Sequence, residues 1–145
     1  MVAGPYCGKL LAELGAEVVK AEPPAGDSAR REGPFAGDSP HPEESCLYLY
    51  LNAGKLGITL DLKSPRGRRI FERLVESVDV LLEDTPPGTL DDLGLGYTRL
   101  NQLNPRLVVT SITPFGQTGP YRGYKAYHLN IYHAGGDGYL LQSGG

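Results

Sequence analysis

Residues 57–83 read GITLDLKSPRGRRIFERLVESVDVLLE, and this stretch decides the fold. Ile58, Leu60 and Leu62 alternate with Thr59 and Asp61, the two-residue period of a strand over 57–62. Ser64 then offers a side-chain cap to a helix that Pro65 opens. On that helix Ile70, Phe71, Leu74, Val75 and Val78 share one face, while Arg66, Arg69 and Arg73 take the opposite one. Val78 to Glu83 reads as the next strand. A strand, a helix and a strand in direct succession predict parallel pairing beneath a crossover helix.

The same alternation extends outward. Upstream, GPYCGKLLAELGAEVVKAE (residues 4–22) sets Leu10, Leu11 and Leu14 at helical spacing, with Pro5 suited to a first turn and Gly15 to an end. Val18 and Val19 then mark a strand over Glu17–Glu22. Between Pro23 and Cys46 the composition shifts to five prolines and three glycines, with Phe35 as the one large apolar residue, so a long loop without regular structure is expected. Loops of this length in compact domains are often functional or serve as linkers. Downstream, short helices are expected over 87–93 and 98–103, and a β-branched strand over 107–112. A further helix runs from Ala126 through His133, ahead of Gly135 and Gly136. The pattern is α/β: a parallel sheet with helices on both faces. It opens on a helix where such domains open on a strand, and so reads as part of a larger domain.

Composition narrows the partners. The chain has 145 residues and a net charge of −3, so no overall positive field draws it to nucleic acid or to an anionic membrane. Its apolar runs are far shorter than the ~18 residues of a membrane span. Two cysteines, Cys7 and Cys46, make no disulfide framework and, with three histidines and no CxxC, no zinc motif. A reducing, cytoplasmic setting is the expectation. With 20 glycines and 12 prolines the protein is rich in loops.

Common catalytic motifs are absent. GLG at 94–96 lacks a third glycine, no GxxxxGK[ST] occurs, and Ser111 and Ser143 lie outside any GxSxG elbow. His128, His133 and Asp137 have spacings that allow His133 and Asp137 one helix face, although the glycines between them weaken a metal site there. Arg66, Arg68, Arg69 and Arg73, interleaved with Glu72 and Glu76, read as a solvated helix face. Arg30 and Arg31 have no helix face to explain them, and a ligand role is open for both. Tyr48 and Tyr50, and then Tyr121, Tyr124 and Tyr127, cluster beside loops, where a tyrosine packs or closes over a flat ligand.

Taken in order, GPYCGKLLAELGAEVVKAEPPAGDSAR, LNAGKLGITLDLKSPRG, DVLLEDTPPGTLDDLGLGYTRLNQLNPRLVVTSITPFGQTGPY and KAYHLNIYHAGG resemble the class III coenzyme A transferases of CaiB/BaiF type, which include the carnitine and formyl-CoA transferases. The resemblance spans essentially the whole chain and matches the N-terminal part of the family. It implies a Rossmann-like large domain, here incomplete, from an interlocked dimer that passes CoA between carboxylic acids. In that family an aspartate attacks the acyl-CoA thioester, and by motif order it falls beyond this chain, so no catalytic residue is expected here.

The same resemblance implies part of a site for CoA or acyl-CoA, bound as substrate with no covalent cofactor. Arg30 matches an arginine that meets CoA phosphate, and Leu60 and Lys63 lie near the nucleotide. Asp84, Thr85 and Pro86 form the adenine-side turn. Lys125, Tyr127 and His128 match the stretch that approaches pantetheine and phosphates. Lys9 stands where glutamine is common, Ala53 replaces the arginine of NRGK, and Asp92 replaces a frequent arginine. Self-association or pairing with a related chain is the implied assembly.

Overall fold

A computed structural model describes residues 2–140. Along the chain run α1 (Ala3–Glu13), β1 (Val19–Glu22), a 3-10 turn (Ser28–Arg31), α2 (Cys46–Asn52), β2 (Leu56–Thr59), α3 (Pro65–Val75), β3 (Val80–Glu83), α4 (Thr89–Asp92), α5 (Tyr97–Leu103), β4 (Val108–Ser111), α6 (His128–Ala134) and α7 (Asp137–Leu140). The deciding stretch forms β2, α3 and β3. The Ser64 hydroxyl accepts the Gly67 N–H at 3.0 Å and donates to the Asp61 carbonyl at 2.9 Å, closing the turn into α3. A Cβ at Gly67 would lie 1.8 Å from the Asp61 carbonyl oxygen, so only glycine lets the helix start this close to the strand end.

All described strand pairing is parallel. Val19 to Glu22 of β1 face Leu56 to Thr59 of β2, and Val80 to Glu83 of β3 face Val108 to Ser111 of β4. The pairing falls into two two-stranded ladders, within the parallel α/β arrangement that the sequence predicts. Periodicity reports which side of a strand is apolar and is blind to which edge it pairs with. One core nevertheless serves both ladders: Leu60, Phe71, Val75, Leu95, Leu100 and Leu107 are buried together, with Ile58, Leu81 and Val109 packed against them. Helices α3 and α5 pack on each other around this cluster, while α1 packs on α2 and leans on β3. The Lys55 ammonium ties that second pair together by donating to the carbonyls of Pro5 (2.6 Å) and Leu51 (2.8 Å) and to Asn52 Oδ1 (3.0 Å).

The segment 23–46 is more ordered than its composition predicts. The Asp27 carboxylate accepts the Ala29 N–H at 2.8 Å and starts the 3-10 turn, and Phe35 bridges to Ser45 in antiparallel fashion. Ser45 is fully buried. Its hydroxyl lies 2.7 and 2.6 Å from the carbonyls of Ala29 and Glu32 and accepts the Tyr48 N–H at 3.2 Å, capping α2. Helix α2 escaped the sequence reading because Leu47-Tyr48-Leu49-Tyr50-Leu51 carries no helical period. The helix expected through His133 forms as α6. His133 and Asp137 fall in different helices, separated by Gly136 at φ 88°, so they share no helix face. No described helix is long and apolar enough to cross a membrane.

Candidate functional site

Ligands of open parallel α/β sheets sit outside the carboxyl ends of the strands. The loops leaving those ends here carry most of the expected residues: Arg30 beyond β1, Leu60 and Lys63 beyond β2, and Asp84, Thr85 and Pro86 beyond β3. Helix α1 begins at the same edge, where the Gly4 N–H donates to Asp84 Oδ2 at 3.1 Å. That approach requires Gly4, since a Cβ would meet Asp84 Cγ at 2.7 Å. The Asp84 carboxylate thus faces the positive end of the α1 dipole.

A cleft of about 670 Å³ opens between the 84–88 turn and the loop after β4, with Asp84, Thr85 and Pro86 on one side and Gln117, Arg122 and Lys125 on the other. Its volume suits a small-molecule ligand. Glu83, the last residue of β3, shapes both walls: Oε2 accepts the Thr85 N–H at 2.9 Å and the Thr85 hydroxyl, and Oε1 accepts the Gln117 amide at 3.1 Å. The Thr85 hydroxyl is therefore turned toward Glu83. Asn130 holds the chain at Lys125 by donating to its carbonyl at 2.9 Å and accepting the Tyr127 N–H at 2.6 Å. Among the described residues no acid pairs with the side chains of Lys125 or Arg122. Arg122 escaped the sequence reading, although its place three residues before Lys125 in PYRGYK was a legible signal.

Arg30 is held in a polar clasp. Its Nε and Nη2 bind Glu22 Oε2 and Oε1 at 2.8 and 3.1 Å, and Nη2 also donates to the Tyr48 hydroxyl at 2.6 Å. Nη1 donates to Glu43 Oε1 at 2.8 Å and to the Pro42 carbonyl at 3.3 Å. The guanidinium lies 3.8 Å above the Tyr48 ring, and the Tyr48 hydroxyl donates in turn to Glu22. All the N–H groups a guanidinium possesses are thereby used. Burial opposes ionisation of Glu22, but Arg30, the Tyr48 hydroxyl and the Asp27 N–H outweigh it and hold the carboxyl at about 2, below its ordinary 4.5. Burial, followed by the hydrogen bond to Glu22, pushes the Tyr48 phenol up to about 12. Neither Glu22 nor Tyr48 was linked to Arg30 by the sequence, because they lie 8 and 18 residues away with no spacing rule to join them.

The remaining expected residues divide. Lys63 is exposed, with its backbone pinned by its N–H to Asp61 Oδ1 (3.0 Å) and by Arg68 donating to its carbonyl (2.9 Å). Its ammonium has no acidic partner among the described residues. Leu60 has its side chain in the core and its N–H on the Glu22 carbonyl at 2.7 Å, so it joins the two strand ends. Lys9 is buried between α1 and α2, paired with Glu13 and 4.8 Å from the Tyr50 ring centroid, away from the cleft lining. The Glu13 hydrogen bond raises its pKa. Tyr127 and His128 are exposed at the start of α6, where His128 stacks on Tyr132 at 5.8 Å. Tyr121 and Tyr124 pack ring to ring at 5.2 Å in the loop bearing Arg122 and Lys125. Ser111 is exposed at the end of β4, and Ser143 lies outside the described residues.

Comparison with known proteins agrees with this architecture. The model of CoA-transferase family III matches residues 1–143. The chain is 48% identical over 126 residues to the succinyl-CoA:(R)-benzylsuccinate CoA-transferase subunit BbsE of Thauera aromatica, covering 87% of this chain and 31% of that protein. It is 42% identical over 122 residues to the human succinyl-CoA:glutarate CoA-transferase, covering 83% of this chain and 27% of that one. Among solved structures it is similar to a CaiB/BaiF family protein from Brucella suis, with a TM-score of 0.84 and 39% identity over 93% of this chain and 36% of that chain. The chain thus spans about a third of the length of the relatives it matches. Matched over nearly all its residues, and with the expected parallel α/β fold, the chain belongs to CoA-transferase family III.

Proposed function

We propose that this chain supplies a CoA-recognition half-site of a class III CoA-transferase, the family reaction being transfer of CoA between carboxylic acids through an aspartyl nucleophile outside this chain. The observation that carries the reading is the convergence of Asp84, Thr85, Pro86 and Lys125 on one cleft at the carboxyl end of β3. Lys63, exposed beyond β2, is the second phosphate-facing cation, and the cleft holds the base and pantetheine. CoA or an acyl-CoA is the substrate, the setting is cytoplasmic, and the chain pairs with itself or with a related chain. The alternative is a non-catalytic module of the same fold that binds CoA esters or pairs with a relative. It is favoured only if the chain binds CoA and a full-length relative without restoring transfer.

Titration calorimetry with CoA tests the site. A charge-assisted contact contributes roughly 1.5–3 kcal/mol, so Lys63→Ala and Lys125→Ala should each weaken binding about tenfold. Arg69→Ala, which removes an exposed cation of α3 outside the cleft lining, serves as the neutral comparison. Equal affinity in the wild type and all three variants would remove the site.

A further inference from the structure

The loop after β4 folds on itself before it borders the cleft. The Tyr124 N–H donates to the Tyr121 carbonyl at 2.9 Å, the Tyr121 and Tyr124 rings pack at 5.2 Å, and Phe115 meets Tyr124 edge-on at 6.3 Å. Gly116 (φ 81°) and Gly119 (φ 89°) supply the left-handed turns that this path requires. Residues 115–124 thus form a small packed unit that carries Arg122 and leads directly into Lys125. Residues 118–125 are exposed, so burial does little to fix where this unit stands relative to the turn at 84–88.

Gln117 ties the unit down. Its side-chain amide donates to Glu83 Oε1 at 3.1 Å, across 34 residues of sequence. The other oxygen of the same carboxylate accepts both the N–H and the hydroxyl of Thr85. Glu83 is half-buried at the end of β3, and its carbonyl accepts the Ile112 N–H at 2.8 Å, so the carboxylate stands on the edge of a paired strand. Thr85 and Gln117 line the cleft from opposite sides, whereas Glu83 lies behind the lining. One anchored carboxylate therefore sets the spacing of two walls.

We infer that Glu83 is a positioning residue of the cleft: by gripping Gln117 and Thr85 together it holds the wall that bears Arg122 and Lys125 opposite the 84–88 turn, without touching the ligand. This rests on the reading of the cleft as one for CoA. A carboxylate behind such a cleft repels an anionic ligand by its charge. Any gain in binding from Glu83 comes through the groups that it places, because side chains set at their working separation bind without a further ordering cost. Charge and position thus predict opposite signs when Glu83 is removed.

The test is titration calorimetry with CoA on the wild-type chain, Glu83→Ala, Gln117→Met and the double variant, each also carrying Lys125→Ala. Glu83→Ala should weaken CoA binding about three- to tenfold, against the sign of its charge. Gln117→Met keeps the length of the side chain, loses the donor and leaves β3 untouched, so it reports even where Glu83→Ala does not fold. It should weaken binding to a similar degree, and the double variant should bind about as well as the weaker single one, because both remove the same contact. Lys125→Ala should cost about tenfold in the wild-type background and less than about threefold beside Gln117→Met, since a lysine out of place has little left to lose. A purely structural role for Gln117 would leave the Lys125→Ala factor the same in both backgrounds. That result, or CoA binding unchanged or tightened in the single variants, overturns the positioning role while leaving the site in place. Absence of CoA binding in the wild-type chain overturns the site itself.

Discussion

Replacing Glu22 by glutamine removes the charge on which the clasp is centred, and the structure sets the size of the effect. The carboxyl lies at about 2 in the folded protein against an ordinary 4.5. At 1.36 kcal/mol per pKa unit that difference makes the ionised form worth about 3 kcal/mol of folding stability at neutral pH. Because the folded value is the lower one, the unfolded chain binds more protons between pH 4.5 and 2. The stabilisation is therefore complete above 4.5 and is lost as the pH falls toward 2. Urea denaturation at pH 7 should show Glu22→Gln less stable by about 3 kcal/mol, and the gap to wild type should close as the solution is acidified. Breaking a buried pair by removing one partner costs more than removing both, so Glu22→Gln combined with Arg30→Met should lose less than the sum of the single changes. Parallel stability curves for wild type and Glu22→Gln across the acid range would refute the reasoning, because they would mean that Glu22 titrates alike in the folded and unfolded chains.

Other outcomes follow from single contacts. Ser45→Ala removes the cap of α2 and the hydroxyl holding the base of the 23–46 loop; it should cost about 1–2 kcal/mol and speed proteolysis within 36–44, and an unchanged cleavage rate would count against that anchoring. Gly67→Ala drives a Cβ to 1.8 Å from the Asp61 carbonyl oxygen, and despite alanine's better helix propensity it should destabilise by about 1–3 kcal/mol; a raised melting temperature would contradict the close approach. Val2, Tyr6, Leu10 and Leu14 form an exposed stripe at four-residue spacing on the α1 side, with Leu14 86% exposed, so the chain should self-associate in sedimentation runs at high concentration. Leu10→Glu with Leu14→Glu should shift it toward monomer, and an unaltered distribution would place any interface elsewhere.

Local rules alone were enough for the deciding stretch and its neighbours. The alternation of Ile58, Leu60 and Leu62, the cap at Ser64 and the apolar face of Phe71 and Val75 each depend on residues within a few positions of one another, and each appears in β2, α3 and the core. The motif order likewise carried the family. What depended on chain closure was illegible. Helix α2 has no period of its own and forms because Ser45 is buried against the carbonyls of Ala29 and Glu32. The division into two ladders reflects edge pairing, which no single strand encodes. Arg30 could be recognised as a charge without a helix face, but its state was decided by Glu22, Glu43 and Tyr48, brought together from the end of β1, a loop tip and α2. Periodicity and capping are energies of neighbours along the chain, whereas the commitment of a guanidinium is an energy of neighbours in space, and only the folded structure supplies those.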